Sequence, residues 1–319
     1  MFPLCPRLYR PGSGQKASPC GRAPVSISLS TFPGGTEAIA PTLERIVRTA
    51  DEVGFDSIWV MDHLFQIRSV GPADEPMLEG WTALGFIAAH TKRARIGLMV
   101  GGIHYRDPGI WVKAATTLDV LSGGRAWLGI GAGWNAEESY GLGFEFPSLG
   151  RRFEMLEETL QIAYGMFEAP LGSQGRHDGK HYRATRLLNS PQSISRPRVP
   201  IMIGGGGEQK TLRLVAQYGD ACNVGWGSPE GLAHKLSVLR GHCEALGRPY
   251  EEIERSTLLS VRVSKDGSGG TQTPQRLIDH FGELGDAGAQ HILFSVRDVH
   301  ETDKLELLGS TVLSQLRDA

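Results

Sequence analysis

The sequence predicts an α/β protein, a (β/α)8 barrel. Three observations carry this. Short apolar runs recur eight times after residue 24, helical patterns alternate with them, and the series fills about 295 residues, one barrel's length.

The runs are VSISLS (25–30), SIWVMD (57–62), ARIGLMV (94–100), AWLGIG (126–131), PIMIGG (200–205), ACNVGW (221–226), STLLSVRV (256–263) and HILFSV (291–296). Apolar runs this short, without strict alternation, suit parallel strands covered on both faces. Between them lie stripes at helical spacing. These are Leu43, Ile46, Val47 and Ala50; Phe153, Leu156, Leu160, Ala163 and Phe167; Leu277, Ile278, Phe281 and Leu284; and Leu305, Leu308, Val312 and Leu316. Ser228-Pro229 and Thr273-Pro274 each read as an N-cap followed by proline at the first helical position. A doubly wound open sheet is the alternative assembly of the same units.

The strand starts lie 32, 37, 32, 74, 21, 35 and 35 residues apart. The 74-residue step exceeds one βα unit and holds two insertions, 134–150 and 169–199. The second contains GKHYRATRLLNSP, a Gly- and Pro-bounded stretch that suits a small hairpin. Insertions in a barrel usually shape its site. Residues 23–319 are expected to form a single barrel domain. Residues 1–22 lack periodicity and the apolar centre of a secretory signal, and are expected to be a disordered tail.

Composition narrows the function. Of 319 residues, 40% are hydrophobic and 21% charged, a soluble globular balance. Lys+Arg (33) and Asp+Glu (35) nearly cancel, so no basic nucleic-acid surface is expected. No apolar run approaches the ~20 residues of a membrane span. Four widely spaced cysteines make neither a zinc pattern nor a disulfide framework, and Cys222 and Cys243 are expected to pack as small apolar side chains. A cytoplasmic protein acting on a small molecule is the expectation.

The 42 glycines concentrate where chemistry would sit. Gly204, Gly205, Gly206 and Gly207 join a strand to a helix. Free N–H groups at a helix start favour a phosphate, and glycine lets the backbone approach it. A tight turn would need fewer glycines. Neither a Gly-Lys-Ser/Thr nor a G-x-G-x-x-G pattern is present. GIGAGWN (129–135) ends the fourth strand, on the side where barrel sites form. Gly131 and Gly133 there would let a flat ring lie on backbone, although small residues also relieve crowding. MDHLFQ (61–66) ends the second strand and offers Asp62 and His63, either a proton-handling group near pH 7 or a structural hydrogen bond. LMVGGIHYRDP (98–108) ends the third. Its Gly101-Gly102 pair suggests a bulge, and His104, Tyr105 and Arg106 are polar contacts or plain loop residues. No H-E-x-x-H, G-x-S-x-G or Cys/His cluster occurs, and His177 and His181 lack metal-ligand spacing. Arg151 and Arg152, with Glu154, Glu157 and Glu158, read as a solvated helix face.

Together, SIWVMDHLF, RIGLMVGGIHYRDP, LSGGRAWLGIGAGWNAEE, YGLGFEFPSLGRRFEMLEETLQIA, the GKHY segment and PIMIGGGGEQKTLRLVAQYGDACNV resemble the luciferase-like monooxygenase superfamily. Within it, they resemble the branch that uses the deazaflavin coenzyme F420. The resemblance runs from about residue 25 to the C-terminus. It implies a (β/α)8 barrel, with insertions between the fourth and fifth strands, that binds a flavin or deazaflavin at its C-terminal mouth. The cofactor phosphate would sit on Gly204–Gly207. The ring would lie over a bulge in the third strand, often with a non-prolyl cis peptide, here near Met99 and Val100. Ala132, Gly133 and Trp134 would line it. Asp62 matches an Asp that contacts the cofactor in some relatives, and His63 a His acting near the reacting carbon. One departure matters. F420-dependent sugar-phosphate dehydrogenases of the family place a Glu directly after G-x-G, where this chain has Trp134. That argues against the same alcohol-oxidising acid/base pair. Glu137 and Glu138 follow three and four positions on.

The resemblance thus implies an F420-dependent oxidoreductase moving a hydride between the coenzyme and a small organic substrate, with His63 as proton donor or acceptor. An FMN-dependent monooxygenase, served by a separate flavin reductase and O2, is the alternative on the same fold. A non-catalytic carrier of either cofactor comes third. The long acidic tail of F420 would favour a basic groove leaving the Gly-rich segment, where Lys210 and Arg213 are candidates. Relatives are often homodimers.

Overall fold

Eight parallel strands close into a ring in a computed structural model that describes residues 24–168, 175–225 and 228–318. They are β1 (Val25–Leu29), β2 (Ser57–Val60), β3 (Arg95–Leu98), β4 (Ala126–Gly131), β5 (Ile201–Gly204), β6 (Ala221–Asn223), β7 (Glu254–Val261) and β8 (His291–Val296). Around the ring the order is β3-β2-β1-β8-β7-β6-β5-β4, and β4 closes on β3 through Ile96↔Ala126 and Gly97↔Trp127. Closure replaces the open-sheet alternative and leaves no sheet edge. The strand expected over 94–100 is interrupted. It stops at Leu98 and resumes at Gly101–Gly102, which pairs with Ile130 and Gly131.

The strands divide their side chains by alternation. Trp59, Trp127, Met202, Ala221 and Leu293, with Met99 and Leu258 against them, form a small cluster inside the ring. Their neighbours, such as Ile58, Val60, Ile96, Leu128, Ile203, Ile292 and Phe294, join the larger core between sheet and helices. Burial on both faces is why the runs do not alternate in polarity.

The helices are α1 (Thr36–Val53), α2 (Gly80–His90), α3 (Pro108–Ser122), α4 (Ala136–Gly141), α5 (Leu149–Glu168), α6 (Thr211–Tyr218), α7 (Pro229–Leu246), α8 (Pro274–Asp286) and α9 (Asp303–Leu308). Leu43, Ile46, Val47 and Ala50 of α1 are buried, and the helix stops at Gly54 with φ 103°. Ser228 and Thr273 cap α7 and α8, accepting from the N–H of Gly231 and Arg276. The stripe from Leu305 to Leu316 continues through a π turn at Gly309–Leu313 into α10 (Ser314–Asp318). Cys222 and Cys243 are free and buried.

The first insertion carries α4. The second contains a hairpin ladder of His177–Asp178 with Arg183–Ala184. Glu158 of α5 fastens its turn, accepting from the N–H groups of Lys180 (2.9 Å), His181 (3.1 Å) and Tyr182 (2.9 Å). This corrects the reading of 151–158 as a solvated face. Glu158 is a hairpin anchor, and Arg152 is buried, its guanidinium 3.9 Å from the Phe146 ring centre. Residues 1–22, expected to be a tail, lie outside the described residues, as do 169–174 and Trp226. No described helix is long and apolar enough to cross a membrane.

Candidate active site

The site is built on the break in β3. The Met99–Val100 peptide is cis, where the resemblance puts one. Val100 is turned toward β4 and β5. A Cβ on Gly204 would fall 2.7 Å from Val100 Cγ2, and one on Gly131 3.1 Å from it. A Cβ on Gly129 would fall 1.8 Å from the Leu98 carbonyl oxygen. Glycine at these three positions therefore admits the bulge. Above Trp127 and Met202 the inner faces of β4 and β5 present Val100 and bare backbone, a flat wall.

The run of four glycines divides its duties. Gly204 packs against Val100. Gly205 turns the chain with φ 122°, its N–H donating to the Asn223 carbonyl at 3.1 Å. Gly206 has room for a Cβ, which would make an ordinary contact with Lys235 Cε at 3.7 Å. Gly207 leads into α6 beside Thr211. Of the two expected cations, Arg213 is held by Glu157 (2.7 Å) and Gln217 (3.0 Å). Lys210 Nζ stands 5.5 Å over the Phe153 ring.

Asp62, just past β2, is buried and bound at both oxygens by Arg106, at 2.7 and 2.8 Å. Arg106 also reaches Glu79 at 2.5 Å and lies 4.8 Å over the Trp111 ring. Burial opposes the guanidinium charge, and the hydrogen bonds to Asp62 and then Glu79 outweigh it, raising the Arg106 pKa. Asp62 thus ties the loop after β2 to the loop after β3 beneath the bulge.

His63 continues the inward row of Ser57, Trp59 and Met61 toward the mouth. Its Nδ1 lies 2.6 Å from Oε1 of Glu138, which is fully buried on α4. The same carboxylate accepts from the N–H groups of Leu64 (2.5 Å) and Phe65 (3.1 Å) and from the Tyr105 hydroxyl. Burial alone would raise the Glu138 pKa. Hydrogen bonds from His63, Tyr105 and the Leu64 N–H outweigh burial and bring it to about 2. An ionised acceptor fixes a ring proton of His63 on Nδ1, with Nε2 on the opposite edge of the ring. Burial and Glu138 push the Tyr105 hydroxyl up, so it stays protonated.

Trp134 is 63% exposed, and its ring meets His63 edge-to-face at 5.3 Å. Ala132 is partly buried against the core, and Gly133 takes φ 73°. A Cβ on Gly133 would strike His104, at 2.6 Å from Nδ1. His104 Nε2 lies 2.9 Å from Ser139 Oγ, whose own proton goes to the Asn135 carbonyl at 3.0 Å. Nε2 is therefore the donor and Nδ1 a bare acceptor, buried without a partner. Burial, then the Arg152 charge, lower the His104 pKa to about 4. Beside these residues opens a cavity of about 490 Å³. Tyr105 and Arg106, Glu145 and Arg151, and His181 and Tyr182 line it, so both insertions contribute walls. No described group of His, Cys, Asp and Glu could hold a metal.

Sequence reasoning missed Tyr105 as a donor to the carboxylate that holds His63 and left Glu138 without a place. The available signal was Asn135, whose side chain accepts from the Glu137 N–H and starts α4. Two further acids in that first turn are the expected company of an N-cap, which hid the one that turns inward.

A ring of eight strands with a glycine wall, a broken third strand and a His at the C-terminal mouth defines a luciferase-like barrel. The chain matches the family model for luciferase-like monooxygenase over residues 25–291 and belongs to that family. It is similar to the F420-dependent glucose-6-phosphate dehydrogenase of Nakamurella multipartita, 31% identical over 245 residues, which are 74% of this chain and 67% of that one. Among solved structures it is similar to an F420-dependent secondary alcohol dehydrogenase in complex with an F420-acetone adduct. The TM-score is 0.77 at 17% identity, over 92% of this chain and 99% of that one. It is also similar to a riboflavin lyase with modified FMN and riboflavin, with TM-score 0.78 at 14% identity, over 93% and 92%. These two likenesses concern the fold.

Proposed function

We propose that this protein is an F420-dependent oxidoreductase that moves a hydride between the coenzyme and a small organic substrate, with His63 as the proton donor or acceptor. The observation that carries the reading is the His63–Glu138 pair at the mouth, with Nδ1 bound and no hydrogen-bond partner for Nε2 among the described residues. The likeness to F420-dependent dehydrogenases supports the choice of coenzyme.

The residues present fit such a group. The flat wall over Gly129, Gly131 and Gly204, capped by Val100, suits a planar ring, and the open backbone at Gly206 suits a phosphate. Met99, Val100, Ala132, Gly133 and Trp134 would hold the ring. Gly204–Gly207 would hold the phosphate, with Lys210 beyond. When bound, the coenzyme supplies the hydride chemistry. The chain supplies the rest. Asp62 and Arg106 brace the floor under the bulge. Trp134 fixes one face of His63. His63 Nε2 gives a proton to the substrate, or takes one from it, and the buried Glu138 carboxylate stabilises the imidazolium. Trp134 leaves no carboxyl directly after G-x-G, so this reading uses one proton carrier. We place the enzyme in the cytoplasm, as a homodimer with residues 23–319 as one domain.

The second reading is an FMN-dependent monooxygenase with a partner reductase, supported by the family description. Titrating the protein with F420 and with FMN, followed by fluorescence, separates the two. Micromolar F420 binding with weak FMN binding is expected. The reverse preference would replace the first reading by the second, and binding of neither would overturn both.

A further inference from the structure

Strands β7 and β8 carry a feature that hydride transfer to a neutral substrate does not use. Inside the ring they run in register, Leu258 beside Leu293 and Ser260 beside Ser295. Leu258 and Leu293 belong to the inner cluster, while Val261, Val263 and Val296 belong to the larger core on the outer side. By alternation the next inward rung is Arg262 beside Arg297. The register persists there, because the Arg297 N–H donates to the Val261 carbonyl at 3.3 Å. Side-chain exposure rises along the row, from buried Ser256 through half-buried Leu258 to exposed Ser260 and Arg262. The row climbs from the core to the open mouth.

Neighbouring strands stand about 4.8 Å apart, so two guanidinium groups begin side by side, an arrangement that like charges disfavour. Neither has an ion pair or side-chain hydrogen bond among the described residues. The arginines on the other side of the mouth differ. Arg106 is bound to Asp62 and Glu79, and Arg151 to Glu145. Two unneutralised arginines in register form a fork suited to a carboxylate or phosphate.

Their place in the ring says what the anion belongs to. In the order of eight strands, β7 stands opposite β3 and β8 opposite β4. The pair therefore faces the Met99–Val100 bulge and the Gly131–Gly133 turn across the mouth. Resting on the functional reading above, we infer that Arg262 and Arg297 bind an oxyanion of the substrate, which lies between them and the ring wall. Ser260 and Ser295 stand one rung below as hydroxyl donors. The substrate class is a small organic acid or phosphate ester.

The same chemistry could come from the acidic tail of the coenzyme, so the test has two arms. Inorganic phosphate at constant ionic strength is titrated into the wild type, Arg262→Gln, Arg297→Gln and the double variant, with thermal unfolding as readout. F420 is titrated into the same proteins by fluorescence. The expected result is a phosphate-dependent rise in Tm that needs about tenfold more phosphate in the double variant, with intermediate singles. F420 affinity should stay within about twofold of wild type. An equal phosphate response in wild type and double variant would overturn the site. A loss of about tenfold in F420 affinity, with phosphate displacing F420 from the wild type, would assign the pair to the coenzyme and overturn the substrate role. Failure of the wild type to bind F420 at all would sink the functional reading, while the phosphate arm still decides the arginines. The double variant's Tm without phosphate shows whether it folds.

Discussion

Glu138 holds His63 by Nδ1 at 2.6 Å, and the carboxylate that does so is closed to solvent. Four donors converge on its two oxygens. In a histidine–carboxylate pair of this kind the buried acid orients the ring and stabilises its charged form, without itself taking the proton. His63→Ala should lower kcat by about 10²–10⁴, the usual worth of a general acid or base, and leave F420 affinity unchanged. Glu138→Gln keeps the shape and removes the charge. Its kcat should fall by about tenfold or more, because the imidazolium formed on proton transfer has lost its counter-charge, while F420 affinity stays unchanged. An unchanged kcat would reduce Glu138 to a structural residue.

Acid should destabilise the protein in two windows. Burial lowers the His104 pKa from 6.5 to about 4. The unfolded chain then binds the extra proton first, and stability falls as pH drops from about 6.5 to 4. Glu138 is lowered from 4.5 to about 2. Its contribution is complete above about pH 4.5 and is lost as pH falls toward 2. Urea unfolding at a series of pH values should show His104→Gln flattening the upper window and Glu138→Gln the lower.

Arg106 neutralises a buried carboxylate, so Arg106→Ala should cost about 3–5 kcal/mol of stability by leaving Asp62 buried and unpaired. Arg106→Lys should recover only part, since an ammonium cannot meet both oxygens as the guanidinium does. Removing both partners with Asp62→Ala/Arg106→Ala should cost less than the sum of the single changes. Additive losses in denaturant titrations would show that the pair is not coupled.

Two neighbouring glycines should behave oppositely. Gly204→Ala puts a methyl 2.7 Å from Val100, inside a strand and against a bulge that cannot give way. It should lower Tm by several degrees and weaken binding of the coenzyme ring. Gly206→Ala makes only an ordinary contact, 3.7 Å from Lys235 Cε. It should leave Tm nearly unchanged and weaken the coenzyme through its phosphate alone. Equal Tm losses at both positions would contradict the division of labour within the Gly-rich run.

The barrel was legible because strands buried on both faces leave runs that neither alternate nor extend to helix length. Closure of the ring was not written in any one run. The cis peptide at Met99–Val100 was reached through the family resemblance, since the residues alone showed only Gly101-Gly102 beyond it. What stayed hidden depended on contacts far apart in sequence. His63 and Glu138 are 75 positions apart, and Val100 meets Gly204 across more than a hundred residues. Arg152 looked like a surface cation until Phe146 covered it. Arg262 and Arg297 needed the β7–β8 register before they could be seen as neighbours.

At the opposite end of the barrel, Ser26 Oγ lies 2.6 Å from His291 Nε2, and His291 Nδ1 lies 2.5 Å from Glu254 Oε1. The connectivity is that of a hydrolytic triad, but the surroundings are wrong for one. Ser26 is fully buried and shares its hydroxyl with Ser57 at 2.5 Å. These residues open β1, β2, β7 and β8, so they lie at the N-terminal face, where barrel residues serve stability. The network stitches four adjacent strands at the floor. Ser26→Ala and Glu254→Gln should each cost about 1–3 kcal/mol, the price of buried polar groups left without partners. Neither should change F420 affinity, and the wild type should not release nitrophenol from p-nitrophenyl acetate faster than its Ser26→Ala variant. Ester cleavage that disappears with Ser26→Ala would show that the floor is open to substrate and that the network is a second active site.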